Sequence, residues 1–545
     1  MKSFVGRDRS ILAESLSRYV DYEYIDPNYS DLFVATLDPD NIEAADVGYF
    51  YVFAGNGTWA SNTVPTPNTD IQSYHYEMYD NMEFGKKVSK DDIRHMVARH
   101  DWTSGTVYAN YDHTDQTLHE KAFFTVVEES NSFHVFKCID NNNDSVSTHK
   151  PSPFEYNAPD GSILTNATQI GGANYYYKTS DGYVWMYLYS FSNQEFQKFA
   201  TNSFIPLPQK ISALPAAIGA IKAIEVVTPG LYHTTYQTGY IKQSFVDGSE
   251  NIFHLTTDGN DFFSYTNFYE GCSIYIVSGT GRGQIRKITS SQIVNNERRI
   301  YVDQPFYVGL DGSSQFEISP TVEIVGDGTG AVARAVVNSI KQVDQIEMIS
   351  FGSGYSYANV SVISNTGYIS ADNQFVATTT TATARAIISP SRGHGRDLIN
   401  ELYADKITVS VDFEGNTHPT TSFNQYGLIV DPLFSGVEVE FGAAAPFTIG
   451  ELMYQETNAS YGVVDSVANN VVTLANVRGV FEANTMTVGL TSNTQLTSLA
   501  INKDMNNYSM TDVVDNSGEI LLIKNDLDVT RADGQTERVR LTVDF

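Results

Sequence analysis

The feature that most restricts how this chain can fold is an aromatic run near residue 185. Every second residue from Tyr183 to Phe191 is aromatic, and Val184, Met186 and Leu188 occupy positions between them. Successive side chains of a β-strand point to opposite faces, so a strand with this pattern is apolar on both sides. We therefore predict a strand that is buried on both faces, inside a β core.

A turn comes directly before this strand. A second aromatic run, Tyr175–Thr179, is followed by Ser180, Asp181 and Gly182, and glycine readily adopts the positive φ that tight turns require. The pattern predicts a hairpin between the two aromatic runs. We interpret it as the central hairpin of the core.

The composition extends this β interpretation to the whole chain. A chain of 545 residues is too long for one core and is expected to form roughly three or four domains. It contains 34 Tyr and 30 Phe, and valine, isoleucine and threonine are also frequent, as is typical of strands. The predicted fold class is mainly β: a multi-domain β-sandwich core with inserted small β domains and a few short helices.

The charge balance restricts the partners. The chain carries 64 acidic and 34 basic residues, a net charge of −30, so its average surface repels nucleic acid and anionic lipid. The longest apolar run, Ala213–Val227, is interrupted by charged residues and proline and is too short to cross a bilayer. We predict no nucleic-acid partner and no membrane insertion.

The termini and the cysteines indicate where the chain is made. The first residues contain no apolar run, so we expect no signal peptide. Cys138 and Cys272 lie far apart in the sequence and form neither a disulfide framework nor a metal-binding motif. A reducing compartment of synthesis is the simplest interpretation.

A few helices are expected among the strands. The clearest is predicted over Lys90–His100, because Ser89 and Asp92 resemble a capping box and apolar residues recur with helical spacing. Further short helices are predicted over residues 8–19 and 397–403. Strands are predicted at residues 49–53 and 406–413, and near the C-terminus at residues 518–525 and 538–545, where we expect the last strand to join a sheet.

An internal repeat is visible after residue 207. Ile224–Val227 resembles Ile346–Ile349, and Ala331–Val337 resembles Ala382–Ile388. We interpret these as two β repeats, residues 221–340 and 344–388, the first split by a small β domain over residues 241–320. Another small β domain is predicted over residues 433–500.

Two arginines occupy equivalent positions in the repeats. We predict that Arg334 and Arg385 point outwards and keep strand edges from pairing with other chains. A shared role in an interface is the alternative interpretation.

Four segments together resemble a known family, the baseplate wedge proteins of contractile-tailed, T-even-like bacteriophages that are called gene product eight. They match in order and in context, and one of them includes the C-terminus. The segments are Arg99–Trp102, Asp181–Leu188, Phe423–Leu433, and Gly518–Asn525 with Gln535–Glu537 and Phe545.

The resemblance implies a domain organisation and a role. Residues 1–206 would form the wedge-protein core, completed by residues 396–432 and 501–545, with residues 207–395 and 433–500 as insertions. The protein would be a homodimeric structural subunit of the tail baseplate in the virion, made in the host cytoplasm and bound to other wedge proteins. It would be no enzyme and would need no cofactor.

The resemblance also names candidate core and interface residues. We refer to these as the ten family-motif residues: Asp101, Trp102, Tyr183, Trp185, Tyr187, Gln425, Pro432, Gly518, Glu519 and Phe545.

Other motifs have simpler explanations than chemistry. The glycine runs 279–283 and 326–330 neither open a helix nor precede Gly-Lys-Ser, so hairpin turns are predicted. The loop 140–144 has calcium-loop character but lacks the required glycine and bidentate glutamate. On a helix, His95 and His100 would face different sides and could not share a metal. We predict no catalytic residues and no metal site.

Another class of function remains as an alternative. Tyrosine-rich, acidic β modules also suit a tailspike-like protein that binds or degrades glycans. Carboxylates are too frequent in this chain for a catalytic pair to be identified from sequence. A third interpretation is that only the inserted domains bind carbohydrate.

Overall fold

A computed structural model describes most of the chain. The described residues are 49–57, 63–67, 71–153, 155–157, 163–165, 176–208, 218–230, 237–247, 250–256, 267–295, 297–364, 367–369, 375–377, 381–390, 393–395, 397–414, 423–457, 460–503, 507–509, 512–527 and 534–544. The helix predicted over residues 8–19 and the family-motif residue Phe545 lie outside them.

The fold is mainly β, as predicted. Up to residue 206 the strands are β1 (Phe50–Gly57), β2 (Met82–Lys87), β3 (Ile93–Ala98), β4 (Phe124–Glu129), β5 (Ser132–Asp140), β6 (Glu155–Asn157), β7 (Ile163–Thr165), β8 (Tyr176–Lys178), β9 (Val184–Ser192) and β10 (Phe204–Pro206). They continue to residue 395 with β11 (Ile221–Thr228), β12 (Gln237–Asp247), β13 (Glu250–Thr256), β14 (Ser273–Ser278), β15 (Ile285–Val294), β16 (Glu297–Val302), β17 (Gln315–Ser319), β18 (Thr321–Gly326), β19 (Thr329–Val337), β20 (Val343–Ser353), β21 (Ala358–Ile363), β22 (Gly367–Ile369), β23 (Phe375–Ala377) and β24 (Thr383–Ile388). The remaining strands are β25 (Lys406–Glu414), β26 (Phe423–Val430), β27 (Val437–Phe441), β28 (Leu452–Gln455), β29 (Ser460–Ala468), β30 (Val471–Arg478), β31 (Met486–Gly489), β32 (Gln495–Ile501), β33 (Asn507–Ser509), β34 (Glu519–Leu527) and β35 (Thr536–Asp544).

Helices are short and few among the described residues. The α-helices are Ile71–Asn81, Asn193–Phe199 and Leu398–Glu401, and the 3-10 helices are Lys90–Asp92 and Leu118–Glu120. None of the described helices is both long and apolar enough to cross a membrane.

The chain divides into two compact units. Unit 1 contains residues 1–98, 193–209 and 402–545, and unit 2 contains residues 99–192 and 210–401. Each unit is therefore assembled from pieces that are distant in sequence.

Unit 1 contains a β-sandwich. One sheet has the strand order β33-β2-β1-β26-β34, and the other has the order β10-β3-β25-β35. Apolar side chains of β1, such as Val52, pack with Val411 of β25 and Leu541 of β35 in one core cluster. The sandwich thus joins the beginning of the chain, the bridge near residues 406–430 and the C-terminal strands.

The first sheet is buried on its other face as well. Tyr51 and Phe53 of β1 belong to a second cluster with Met78 of the helix Ile71–Asn81 and with residues of β27–β32. Those six strands form a closed barrel, which we call barrel J. Alternate residues of β1 thus enter two different cores, which explains why this strand is apolar on both faces.

The helix predicted over Lys90–His100 is wrong. Ser89 and Asp92 form the predicted capping box, but only the 3-10 turn Lys90–Asp92 follows it. Residues 93–98 form β3, because they pair with β25 on one side and with β10 on the other. Met96 and Val97 are both buried there. A strand that is buried on both faces carries apolar residues at positions that also match helical spacing, which is why a helix was predicted.

The aromatic run forms its own sheet in unit 2. β9 pairs with β5 and β8 in the order β4-β5-β9-β8, and the predicted hairpin is present, with Lys178 opposite Val184. This sheet does not join the sandwich strands, although residues 1–206 were expected to form one core. The physical reason is that β9 is hydrogen-bonded to β5 on one edge and to β8 on the other, and its Trp185 face packs on residues of the same unit.

The two sequence repeats form one barrel in unit 2, which we call barrel F. Its closed order is β11-β20-β19-β18-β21-β24. The first repeat supplies β11, β18 and β19 and the second supplies β20, β21 and β24, with Ile224 opposite its equivalent Ile346. Three strands cannot close a barrel alone, so the repeats are two halves of one pseudo-symmetric domain rather than two units.

A further closed barrel, barrel G, contains β12–β17 and lies in the chain between β11 and β18. Its strands therefore interrupt the first half of barrel F. Barrel J interrupts the sandwich in the same way, since it lies in the chain between β26 and β33. In both cases the host strands on either side of the insertion still belong to one sheet or barrel.

Candidate interaction sites

Five family-motif residues lie in or beside one aromatic cluster of unit 2. The cluster contains Tyr108, Val127, Phe136, Cys138, Tyr183, Trp185 and Tyr187, and Trp102 packs against it. The Tyr183 and Trp185 rings stack with centroids 5.3 Å apart, and Tyr108 meets Trp185 edge-on at 5.4 Å. Tyr183 and Trp185 are fully buried, so their part here is to pack the core.

Hydrogen bonds fix the tyrosines of this cluster. The Tyr183 hydroxyl donates to the Ser145 carbonyl oxygen at 2.6 Å and accepts the Tyr108 N–H at 3.2 Å. Burial raises the pKa of Tyr183 to about 12. The buried Trp185 Nε1 has no hydrogen-bond acceptor among the described residues, so packing holds this ring rather than polar contacts.

Asp101 and Trp102 connect the cluster to its surroundings. The Arg99 Nε donates to both carboxylate oxygens of Asp101 at 3.0 Å. The Trp102 Nε1 donates to the Ser147 hydroxyl at 3.1 Å. Asp101 is largely exposed, whereas Trp102 packs against the aromatic cluster. Asp101 and Trp102 therefore lie at the boundary between the aromatic core and solvent.

The turn before β9 is organised by Asp181. Its Oδ2 accepts the N–H groups of Thr148 and His149 at 2.7 and 2.8 Å. Burial acts to raise the pKa of Asp181, but hydrogen bonds from Thr179, His149 and Thr148 lower it overall. Gly182 has a φ of +89°, as the hairpin prediction requires.

The other described family-motif residues lie together in unit 1. β26 and β34 pair from Val430 opposite Glu519 to Phe423 opposite Leu527. The buried Gln425 donates from Nε2 to Asn525 Oδ1 at 3.0 Å. Gly518 lies against Pro432 at the beginning of this pairing. The structure therefore brings two motif segments into register and leaves Glu519, the first residue of β34, exposed.

We expect the Gly518→Ala variant to destabilise unit 1 by about 2–4 kcal/mol. Gly518 has a φ of +76°, and a Cβ there would lie 2.6 Å from the Val430 carbonyl oxygen. Gly534 is the matched control, because its φ is +77° but a Cβ meets nothing within 4 Å. Gly534→Ala should therefore cost only the backbone strain, about 1 kcal/mol. Equal costs in urea unfolding would contradict a packing role for Gly518.

A buried ionic cluster in unit 2 was missed by the sequence analysis. Lys137 of β5 contacts Glu401 and His394, and all three side chains are almost completely buried. The Gly395 N–H donates to Glu401 Oε2 at 2.6 Å. The Lys137 Nζ also lies 4.4 Å from the centre of the Tyr111 ring. We call Lys137, His394 and Glu401 the ionic cluster.

The ionic cluster has a clear electrostatic consequence. Burial acts to raise the pKa of Glu401, but Lys137 and His394 lower it to about 2. Burial, with help from Lys137, lowers the pKa of His394 to about 4. Lys222, whose pKa burial lowers to about 8, adds a further positive charge nearby. The only sequence signal for this cluster was a lysine between the apolar residues Phe136 and Cys138 of β5.

Stability should fall as the pH is lowered, partly through His394. Unfolded histidine binds a proton below about pH 6.5, whereas folded His394 does so only near pH 4. Between these values the unfolded state binds more protons, so lowering the pH through this window destabilises the fold, by about 2 kcal/mol. Urea unfolding at pH 7 and pH 4.5 should show a smaller loss for His394→Gln than for the wild type. An equal loss would contradict this assignment.

Arg334 and Arg385 do not protect strand edges, because a closed barrel has none. Each is paired with the glutamate directly opposite it on the neighbouring strand of the barrel, Arg334 with Glu347 and Arg385 with Glu225. Each also reaches beyond barrel F to a second carboxylate. Arg334 donates to Glu317 of barrel G at 3.0 Å and Arg385 donates to Asp112 at 2.5 Å.

We expect Arg334→Ala to cost more than Arg385→Ala, about 2–3 against about 1 kcal/mol. Burial raises the pKa of Glu317 even with Arg334 present, so this carboxyl group would be left buried and unpaired. Asp112 would keep two hydrogen bonds from Thr114. Urea unfolding of both variants provides the comparison, and a greater cost for Arg385→Ala would contradict it.

One glycine run forms the predicted turn, but the two histidines do not lie on the helix that was predicted for them. The glycine run 279–283 turns the chain between the paired strands β14 and β15, with positive φ at Gly279, Gly281 and Gly283. His95 is buried on β3, where burial lowers its pKa to about 4, and His100 packs edge-on against Phe124. Within the described residues, no group of three or more His, Cys, Asp or Glu is placed to hold a metal ion.

Exposed apolar side chains lie on turns that a carboxylate holds together. In barrel J, Glu451 Oε2 accepts the N–H groups of Thr491 and Ser492 at 3.0 and 2.8 Å. The adjoining turns expose 67% of Ile449 and 48% of Leu490. Aliphatic side chains that a fixed turn keeps in solvent are candidates for a contact surface.

Barrel F has a similar turn. Asp327 Oδ1 accepts the N–H groups of Ser356 and Tyr357 at 2.8 and 3.2 Å. Val325 and Tyr357 are exposed beside it, by 64% and 58%. Sequence reasoning missed both turns, because no local pattern shows which apolar residues a closed barrel leaves outside.

Comparison with known proteins finds no family model that matches the chain, and no curated protein matches it either.

Proposed function

We propose that this protein is a non-enzymatic structural subunit of a bacteriophage contractile-tail baseplate wedge. In this role it acts as a homodimer and assembles with other wedge proteins through protein–protein interfaces. The observation that carries the proposal is the way segments from distant parts of the chain form a sandwich with closed barrels inserted in its connections.

The placement of the family-motif segments supports the proposal. The motif residues near Asp101 and Trp185 surround one aromatic cluster, and those near Gln425 and Gly518 lie on paired strands. Residues that support one another's packing are expected when a resemblance reflects a shared core. Four unrelated chance matches would not be expected to form two groups in this way.

The exposed turns supply the means of assembly. Ile449 and Leu490 lose solvent contact only if another surface covers them, and burying each large aliphatic side chain contributes about 1.5–3 kcal/mol. Several such points on rigid barrels would give a subunit many weak contacts with several neighbours. Charged residues at the rims of these interfaces would set how the partners are aligned. The net charge of −30 would limit unspecific association.

Cryo-electron microscopy of the intact tail tests the proposal. We expect density for the sandwich and the three barrels within the baseplate wedge. A position at a fibre tip, or absence from the purified particle, would contradict it. Release of reducing sugar from a polysaccharide by the purified protein would favour the glycan-degrading alternative.

A variant pair tests the contact surface. Ile449→Asp should leave the fold intact but reduce incorporation into tails, since it places a charge in an apolar interface. Leu499→Asp is the control, because Leu499 is 54% exposed but lies on strand β32 of the same barrel rather than on the turns. Equal incorporation of both variants would show that the turns make no contact in the assembly.

A further inference from the structure

An exposed aromatic side chain projects from barrel G on a loop that several contacts hold in place. Tyr307 is 88% exposed, the largest exposure among the large apolar side chains of the described residues, and its neighbour Val308 is 51% exposed. Both belong to the loop between β16 and β17. A ring exposed to this extent contributes little to the stability of its own domain.

The loop is nevertheless fixed on both sides of Tyr307. The Arg286 guanidinium lies 4.8 Å from the centre of the Tyr307 ring and 5.0 Å from that of Phe306. The same group donates to the Pro305 carbonyl oxygen at 2.9 and 2.6 Å. Arg286 therefore anchors the backbone before the ring and contacts the ring itself.

A second anchor lies after the ring. Gln284 accepts the Val308 N–H at 3.2 Å and donates to the Val308 carbonyl oxygen at 3.1 Å. Further along the loop, Asp311 accepts the Thr280 hydroxyl at 2.8 Å. The tyrosine is thus presented on a preorganised loop, and little conformational entropy remains to be lost when a ligand covers it.

We propose that Tyr307 is the stacking platform of a binding site for neutral saccharides. The apolar C–H face of a pyranose ring matches the area of one tyrosine ring. A stable protein–protein interface buries about 800 Å² of the surface of each partner. One aromatic side chain can bury only about 200 Å². A small ligand can therefore be held by this ring alone, whereas a protein would also have to cover many of the surrounding residues.

The local charge indicates the class of ligand. The loops 279–284 and 303–314 carry Arg282, Asp303 and Asp311, and Arg286 lies on β15 beside the Tyr307 ring. Their charges cancel, although the chain as a whole is strongly acidic, so neither an anion nor a cation is favoured. Exposed hydroxyl-binding groups such as Arg282 and Asp303 suit a neutral, polyhydroxylated partner.

Saturation-transfer NMR with the full-length protein tests this site. The probes are maltohexaose, cellohexaose and N-acetylated chitohexaose. We expect at least one of them to bind with a dissociation constant of about 1 mM, the strength that per-atom limits set for a ligand contacting through one sugar ring. No saturation transfer to any of the three at about ten times that concentration would overturn the proposal.

Substitutions test whether saccharide binding depends on Tyr307 or is unspecific. Tyr307→Ala should weaken binding at least tenfold, and Arg286→Ala should weaken it less, since the ring remains but its support is lost. Tyr76→Ala is the matched control, because Tyr76 is a 61% exposed tyrosine on the helix Ile71–Asn81 and should leave binding unchanged. Unchanged binding by Tyr307→Ala, or an equal loss in Tyr76→Ala, would overturn the proposal. None of these results depends on whether the protein is a baseplate subunit.

Discussion

Trp185→Ala is expected to leave the protein insoluble or unassembled. Trp185 is fully buried between the stacked Tyr183 ring and the edge of Tyr108, so the truncation leaves a cavity the size of an indole. Truncating a buried aromatic residue of this size costs about 3–5 kcal/mol, a large part of the stability of an ordinary domain. Soluble yield and near-ultraviolet circular dichroism provide the measurement.

Two further variants make this result interpretable. Trp185→Phe keeps most of the apolar volume and removes an N–H that has no acceptor among the described residues, so it should be tolerated far better. Tyr357→Ala removes an exposed ring and should have almost no effect on solubility. Normal folding and normal incorporation of Trp185→Ala into tails would contradict the role of the aromatic cluster as the core of its module.

Lys137→Met is the second substitution with a large expected effect. It leaves the buried Glu401 carboxyl group without its main positive partner, since Lys137 is what lowers the pKa of Glu401 most strongly. Breaking one side of a buried ion pair costs about 3–5 kcal/mol. Urea unfolding followed by tyrosine and tryptophan fluorescence would measure the loss.

A double substitution distinguishes charge from packing. Lys137→Met combined with Glu401→Leu removes both charges and keeps similar volumes, and such replacements are often neutral or stabilising. We therefore expect the double variant to be more stable than either single variant. If the double variant loses as much free energy of unfolding as the two single variants added together, the ionic cluster contributes to stability through shape rather than through charge.

The sequence allowed the sandwich strands to be predicted because their local patterns are strong. The run Tyr49–Phe53 and the alternating segment 406–413 form β1 and β25. The alternation of apolar and polar residues shows which side chains are buried, and this pattern can be read within each strand separately. The pairing of these strands with the last forty residues depends on long-range contacts that no local pattern specifies.

The helix predicted over Lys90–His100 shows where local reasoning fails. The capping box at Ser89 is real, but the choice between helix and strand was made by β10 and β25, which provide hydrogen-bond partners on both sides. The apolar residues Ile93, Met96 and Val97 satisfy a helical spacing and a strand equally well. Tertiary pairing therefore outweighed the local signal.

The ionic cluster and the exposed turns could not have been found from the sequence. Lys137 and Glu401 are 264 positions apart, and nothing in either segment identifies the other. In barrel F, the repeat was visible but its closure into one domain was not, because closure depends on how β11 pairs with β20 and β24. The sequence thus indicates the modules better than the contacts between their parts.

The claim tested most directly is that distant segments complete one sandwich in unit 1. Thr408 of β25 and Thr542 of β35 are directly opposite, with their hydroxyl oxygens 2.9 Å apart, so cysteines at these positions can form a disulfide. We expect Thr408→Cys/Thr542→Cys to form this link in the folded full-length protein under mild oxidation, and the offset pair Thr408→Cys/Arg540→Cys to form much less of it. Peptide mapping that finds no 408–542 link, or equal linking in the offset pair, would contradict the account.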